Sequence, residues 1–519
     1  MRIRNLLLGV LIAASAVAAG CTVNEQKKEK AEYAENLTVS VTGGKVTGVK
    51  TEDEKAAVYK GIPFAAPPVG ELRWKAPQPV SEWEGELDCS LWGANALQGD
   101  ASVFSYWTEE FVQDVDPAHY RNGIIYSEDC LTLNVWSSYG VTENKPVLVY
   151  IHGGGYNSGG AACEVYDGLN VALKDVVFVS IQYRVGALGY MATDALKAEN
   201  ENGSAGNYGL LDQIEALKWV QENIKTFGGN PENVTVMGQS AGSGSVNALI
   251  ASPLAEGLFK NAVAASHNSI SRDWQTVEKR CGELSLSYNG KQLSKMTVEE
   301  LRAIPAEFLK GKTLPTGGPC IDGYVLTDTY KNSVADGKAN CVNLMIGNVA
   351  KDDLIYSVYT SNGITAVDSM LALLNAQGEA RYKAGYTENT FIYMFERDVP
   401  RASSVSEDTS GARHSYELAY FFGNFSTVSG RNWTETDYQL SEEMMNYLVN
   451  FCKNGEPSQN IIDSPTNKTA KNKEYNETGT YWMPNNGNLY YMDFTDKAEN
   501  KEMPQDKVDN VYSYYKLKF

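Results

Sequence analysis

The chain of 519 residues predicts an α/β fold, a central and mostly parallel sheet flanked by helices in a single large domain. Three observations carry that prediction. Val147-Leu148-Val149-Tyr150-Ile151 and Val176 to Ile181 are short runs apolar on both faces, the pattern of strands covered on each side. Leu211, Ile214, Leu217, Trp219, Val220 and Ile224 then recur at helical spacing up to Phe227, and Gly228-Gly229-Asn230-Pro231 stops the helix. Finally, Val234-Thr235-Val236-Met237 runs straight into Gly238-Gln239-Ser240-Ala241-Gly242, which spells strand, sharp turn and helix. Strand, helix and strand in succession require parallel crossovers, and such sheets carry their sites beyond the carboxyl ends of the strands.

The N-terminus stands apart from this pattern. Arg2 and Arg4 precede an apolar run from Leu6 to Val17 and the small residues Ala18-Ala19-Gly20, so residues 1–20 are expected to be a signal peptide. The run is too short for a membrane span. Cys21 follows at once, as in a bacterial lipobox, which implies cleavage before Cys21 and lipid attachment to its sulfur. An ordinary secretory signal with an incidental cysteine is the alternative. Residues 21–36, rich in Lys and Glu, then form a tether that cannot pack a core. The expected product is an exported protein, anchored by lipid to the periplasmic or cell-surface face of a bacterial membrane. Residues 37–519 form the folded domain.

Composition narrows the function. With 43% apolar residues the domain can bury a large core. A net charge of −19 disfavours nucleic-acid partners and strongly anionic substrates, because phosphate contacts need clustered Lys and Arg. Beyond Cys21 the cysteines are Cys89, Cys130, Cys163, Cys281, Cys320, Cys341 and Cys452. Export allows disulfides, but an odd number leaves at least one thiol unpaired. No Cys or His spacing suggests a metal site, and no cofactor is implied.

Ser240 lies at the centre of the G-x-S-x-G turn, which points to nucleophilic catalysis on a small-molecule ester. A serine nucleophile needs a base, a group to orient the base, and donors for the oxyanion. The chain has four histidines: His119, His152, His267 and His414. In the order Ser, acid, His only His267 and His414 follow the serine, and His267 leaves too little chain for a strand carrying the acid. That makes His414, late in the chain before Leu418 to Phe422, the candidate base. The acid is expected after the strand Val342 to Gly347, at Asp352 or Asp353. His152-Gly153-Gly154-Gly155-Tyr156 follows the Val147 strand, and its glycines let main-chain N–H groups converge. With the amide of Ala241, three such donors are expected to converge on the developing charge, and losing one costs about 3 kcal/mol.

These residues together resemble the type-B carboxylesterase/lipase family, the cholinesterase-like branch of the α/β hydrolases. The resemblance runs from about Thr38 to the C-terminal segment. Further matching blocks are Gly61-Ile62-Pro63-Phe64-Ala65, Leu72-Arg73-Trp74, Ser127 to Asn134, Tyr183-Arg184-Val185-Gly186, Asn207 to Gln213 and Asn454-Gly455-Glu456-Pro457. The family implies hydrolysis of carboxylic esters through an acyl-serine at Ser240, with His414 as base and Gly154, Gly155 and Ala241 supplying the oxyanion amides. Its acid is usually Glu, five residues after the equivalent of Gly347, which falls on Asp352; matching an Asp-Glu pair gives Asp353 instead. Arg73 and Glu128 resemble the family's structural ion pair. The family cysteine expected near Ala96 to pair with Cys130 is missing, and Cys89 is the candidate substitute. His267 stands where the family often has glycine and is expected to line the pocket. The alternative function is a cholinesterase-like adhesion or binding lipoprotein that has lost catalysis; the intact Ser240, His414 and carboxylates argue against it.

Overall fold

Strands that are apolar on both faces leave the chain one stable arrangement, a buried sheet with helices packed on each side. The computed structural model describes residues 37–99, 116–138, 144–266, 272–283, 287–312, 318–352, 364–403, 408–425, 430–458 and 480–515. Cys21, His267 and Asp353, and the segments 1–20 and 21–36, lie outside the described residues.

Eleven strands form the central sheet. They are β1 (Val49–Lys50), β2 (Ala56–Pro63), β3 (Thr132–Ser138), β4 (Lys145–Ile151), β5 (Val177–Ile181) and β6 (Gly229–Gln239). After them come β7 (Asn261–Ala265), β8 (Asn343–Val349), β9 (Thr390–Phe395), β10 (Tyr490–Phe494) and β11 (Ala498–Glu502). Across the sheet the order is β11-β10-β9-β8-β7-β6-β4-β5-β3-β2-β1. From β5 through β4, β6, β7, β8 and β9 to β10 every pairing is parallel, and antiparallel strands finish both edges. Every residue of β4, β5, β7 and β9 is buried.

Alternation along the strands divides the core in two. Val147, Val149 and Ile151 of β4 pack with α1 (Tyr208–Asn223) and α2 (Ala241–Ala251), through Ile214, Leu217, Val246 and Leu249. Leu148 and Tyr150 face the other way, toward α4 (Glu417–Phe422) and α5 (Glu435–Asn454), which contribute Leu418, Phe421, Met444 and Leu448. The helix α3 (Ala366–Lys383) contributes Met370 and Leu374 to the first layer.

The expected elements appear with shifted ends. α1 begins at Tyr208, earlier than its apolar spacing indicates, and a 3-10 turn over Ile224–Phe227 ends at Gly228 with φ +81°. The expected turn is shorter than predicted, because Gly229 already pairs with Lys145 in β6 before the register jumps to Val234 opposite Val147. Pro231, which has no N–H to donate, falls inside that irregularity. The stretch between Thr360 and Arg401 contains α3 and also β9, a full member of the sheet. Its run Thr390 to Phe395 is apolar after the first residue, the same pattern of a strand covered on both faces.

Two arginine–carboxylate pairs tie together segments far apart in sequence. Arg73 Nε and Nη2 donate to Glu128 at 2.6 and 2.7 Å. Arg184 Nε and Nη2 donate to Asp212 at 2.8 and 2.7 Å, and the Arg184 backbone N–H adds a third bond at 3.0 Å. This second pair joins two of the sequence blocks noted above, and both side chains are at most 3% exposed. Cys89 and Cys130 are both free, buried thiols, so the expected substitute disulfide is not formed. Removing one partner of a buried ion pair strands the other charge, at about 3–5 kcal/mol. Asp212→Ala is therefore expected to lower unfolding stability in urea by that order, and a loss below about 1 kcal/mol would contradict the account.

Candidate active site

The turn between β6 and α2 is held by contacts that leave no choice of side chain on either flank. Ser240 itself sits at φ +57° and ψ −121°, a strained conformation for a residue with a Cβ. Its N–H donates to Ala265 O of β7 at 3.1 Å, and its carbonyl accepts the first helical bond from Gly244 at 3.0 Å. A Cβ on Gly242 would stand 2.1 Å from Ile151 O, so only glycine lets the start of α2 lie against the end of β4. The result is a half-exposed Ser240 at the tip of a buried strand and the foot of a buried helix.

The glycine loop after β4 lies beside that serine. A Cβ on Gly153 would be 3.2 Å from Ser240 Cβ. Gly154 and Gly155 take φ of +109° and +61° and are exposed, whereas Ala241 is buried. Among the described residues no protein acceptor is met by the N–H groups of Gly154, Gly155 or Ala241. Donors without a protein acceptor thus lie in the glycine loop and at the start of α2.

His414 and Asp352 meet on the neighbouring side. Asp352 follows the end of β8, and His414 lies in the loop that leads into α4. The residues just before each are joined: Lys351 and Arg413 form a parallel bridge, with Lys351 N donating to Ala412 O at 2.9 Å. This backbone link brings the loops close enough for the short Asp side chain to reach, and His414 Nδ1 lies 2.7 Å from Asp352 Oδ2. A carboxylate cannot donate, so Nδ1 carries the proton and Nε2 keeps its lone pair. Nε2 accepts from the Gln239 side-chain amide at 3.3 Å, which sets the ring against the elbow. Both acidic and imidazole side chains are at most 4% exposed. His119 is exposed in a 3-10 turn away from these residues, and His152 is buried beneath the glycine loop.

Sequence reasoning missed two groups here. Gln239 was in view inside the motif, but nothing local tells that its amide turns back to an imidazole late in the chain. Glu417 follows His414 by one helical step and is fully buried. Ser266 Oγ donates to Glu417 Oε1. Burial pushes the Glu417 carboxyl up to about 7; Asp352 adds to the rise, while the Ser266 bond and His414 oppose it.

Nucleophile-elbow strand, glycine loop and His–Asp pair at the ends of parallel strands define an α/β hydrolase. The comparisons with known proteins agree: the model of the carboxylesterase family matches residues 35–373 and 359–511, and the chain belongs to that family. It is 36% identical to the fumonisin B1 esterase of Sphingopyxis macrogoltabida over 80% of this chain and 82% of that protein. The para-nitrobenzyl esterase of Bacillus subtilis (strain 168) is 29% identical over 85% of this chain and 94% of its own. Among solved structures, a thermophilic PNB esterase superposes with a TM-score of 0.72 at 26% identity, covering 92% of this chain and all of that one. The protein is a carboxylic ester hydrolase.

Glu417 gives a test of this buried environment. Below about 7 its carboxyl is protonated in the fold, whereas above its ordinary value of 4.5 it is ionised in the unfolded chain. Between about 4.5 and about 7 the native state holds a proton that the unfolded state lacks, so stability falls as pH rises through that window. Glu417→Gln should flatten this decline when urea unfolding is followed from acid to neutral pH. An unchanged slope would show that Glu417 is ionised in the native protein.

Proposed function

We propose that Ser240 is the nucleophile, His414 the general base and Asp352 the carboxylate that orients it, with the N–H groups of Gly154, Gly155 and Ala241 as the oxyanion donors. The observation that carries this reading is the 2.7 Å contact between His414 Nδ1 and Asp352 Oδ2 in a ring that rests against the elbow. It favours Asp352 over Asp353. In the free enzyme Nε2 is occupied by Gln239; catalytic hydrogen bonds commonly tighten only with substrate, and Ser240 Oγ takes over Nε2 at that stage. Oγ then attacks the ester carbonyl carbon, its proton passes to Nε2, and the carbonyl π pair moves onto the oxygen, where the N–H donors receive it. The imidazolium returns the proton to the alcohol oxygen as the C–O bond breaks, leaving an acyl-serine. Water repeats the cycle, releasing the acid and restoring the hydroxyl.

Uncharged acyl esters are the substrate class this reading favours. The support is the net charge of −19, which disfavours strongly anionic substrates, together with the relative named para-nitrobenzyl esterase. On a panel of p-nitrophenyl esters of graded chain length, the wild type is expected to hydrolyse short or medium members. Ser240→Ala should lower kcat by at least about 10⁴-fold, and Asp352→Asn by roughly 10³–10⁴-fold. Equal turnover by wild type and Ser240→Ala would remove the serine from the mechanism.

The basic start, apolar run and small residues before Cys21 support an exported form anchored through a diacylglyceryl group on that sulfur. Mass spectrometry of the mature N-terminus is expected to find the lipid there, and a free Cys21 thiol refutes the anchor.

A further inference from the structure

A peptide unit is planar and trans, so its carbonyl and its N–H point in opposite directions. The unit joining Gly153 and Gly154 carries one of the proposed oxyanion donors on its nitrogen. Whatever holds the Gly153 carbonyl therefore aims the Gly154 N–H. The group that holds it is the side chain of His152, whose Nδ1 lies 2.8 Å from Gly153 O. A carbonyl only accepts, so the proton is on Nδ1, and Nε2 is bare and makes no hydrogen bond in its buried position.

The imidazole is clamped for this purpose from several directions. It is 1% exposed and stacks on Tyr183, with ring centroids 4.3 Å apart and planes at 20°. The Tyr183 hydroxyl donates to His152 O at 2.9 Å, fixing the backbone of the same residue. On the other side Gly159 leaves the only room the contact has: a Cβ there would stand 2.4 Å from both Gly153 O and His152 Nδ1. Burial lowers the imidazole to about 4, so the ring is neutral at the pH of ordinary assays. The next peptide is pinned independently, by Asn157 N and Ser158 N donating to Gly154 O, both at 3.0 Å. Among the described residues His152 is the one hydrogen-bond partner of the Gly153 carbonyl. A flip of that peptide would present an oxygen to the developing anion, replacing a hydrogen bond with repulsion.

We propose that His152 is a positioning residue for ester hydrolysis: its Nδ1–H pins the Gly153 carbonyl and so turns the Gly154 N–H toward the oxyanion. This rests on the reading of Ser240 and the glycine loop given above. His152 touches no substrate, and its effect is confined to the transition state.

The test compares His152→Asn, whose amide nitrogen falls where Nδ1 sits, with His152→Gln, whose amide nitrogen falls where Nε2 sits. For each, kcat and KM on a p-nitrophenyl ester, the inhibition constant of an aryl trifluoromethyl ketone and the melting temperature are measured. The Gln variant should lose at least roughly 10-fold in kcat and a like factor in ketone affinity, with KM little changed, and the Asn variant should recover most of both. A merely structural role would move melting temperature in both variants and would not separate them. Equal kcat in the two variants, or a loss in KM alone, overturns the proposal. Should neither variant fold, long-range nitrogen–proton correlation spectra of the wild type decide: a proton on Nε2 of His152 overturns it, and a proton on Nδ1 upholds it. A wild type that neither hydrolyses esters nor is labelled at Ser240 by a fluorophosphonate sinks the functional reading and this inference together, whereas an active wild type with indistinguishable variants sinks this inference alone.

Discussion

The parallel pairing of β4 with β6 is the constraint from which the site follows. Ile151 lies opposite Gly238, so the two strands finish level and the chain leaves each at the same height. One exit is the glycine loop and the other is the serine turn. No crossover of ordinary length could bring a cluster of main-chain donors beside a strained serine without this register. Gly242 against Ile151 O then closes the gap between the strand end and the helix start. The same level continues outward: Gly238 faces Ala264 of β7, and Ala264 faces Ile346 of β8. The acid and the elbow are thus delivered to one rim by the sheet itself.

Motifs made by neighbouring residues were legible. The turn around Ser240, the glycine loop and the covered strands each follow from side chains adjacent in sequence, where steric rules act directly. Asp352 was narrowed to two adjacent carboxylates, because a strand end shows where a loop begins but not which of two side chains faces inward. The Lys351–Arg413 bridge beside Asp352 and His414 is a contact between distant segments, and no local pattern encodes it. Gln239 and Glu417 escaped for the same reason: each is an ordinary polar residue until the fold buries it against His414. The pairing suggested for Cys89 and Cys130 came from matching blocks, and proximity in an aligned pattern does not supply the geometry a disulfide needs.

The surroundings of His414 combine rigidity with charge control. Asp352 holds one nitrogen, Gln239 meets the other, and Glu417 stands nearby as a neutral acid bonded to Ser266. An ionised Glu417 would add a second negative charge in a region with little water to screen it. Its raised titration keeps that second charge away from the imidazole on the acid side of about 7. The buried arginine pairs work at a larger scale: Arg184–Asp212 ties the segment after β5 to α1, and Arg73–Glu128 joins two segments far apart in sequence.

The order of strands also bears on the making of the protein. β10 and β11, which cover one flank of β9, come from the last part of the chain. A polypeptide cut short before Tyr490 removes the partner of Tyr393 to Phe395, the end of β9 that pairs with Met492 to Phe494. Such a bared strand end invites annealing with a second copy. Synthesis that stops early therefore yields sticky debris and no partly working catalyst.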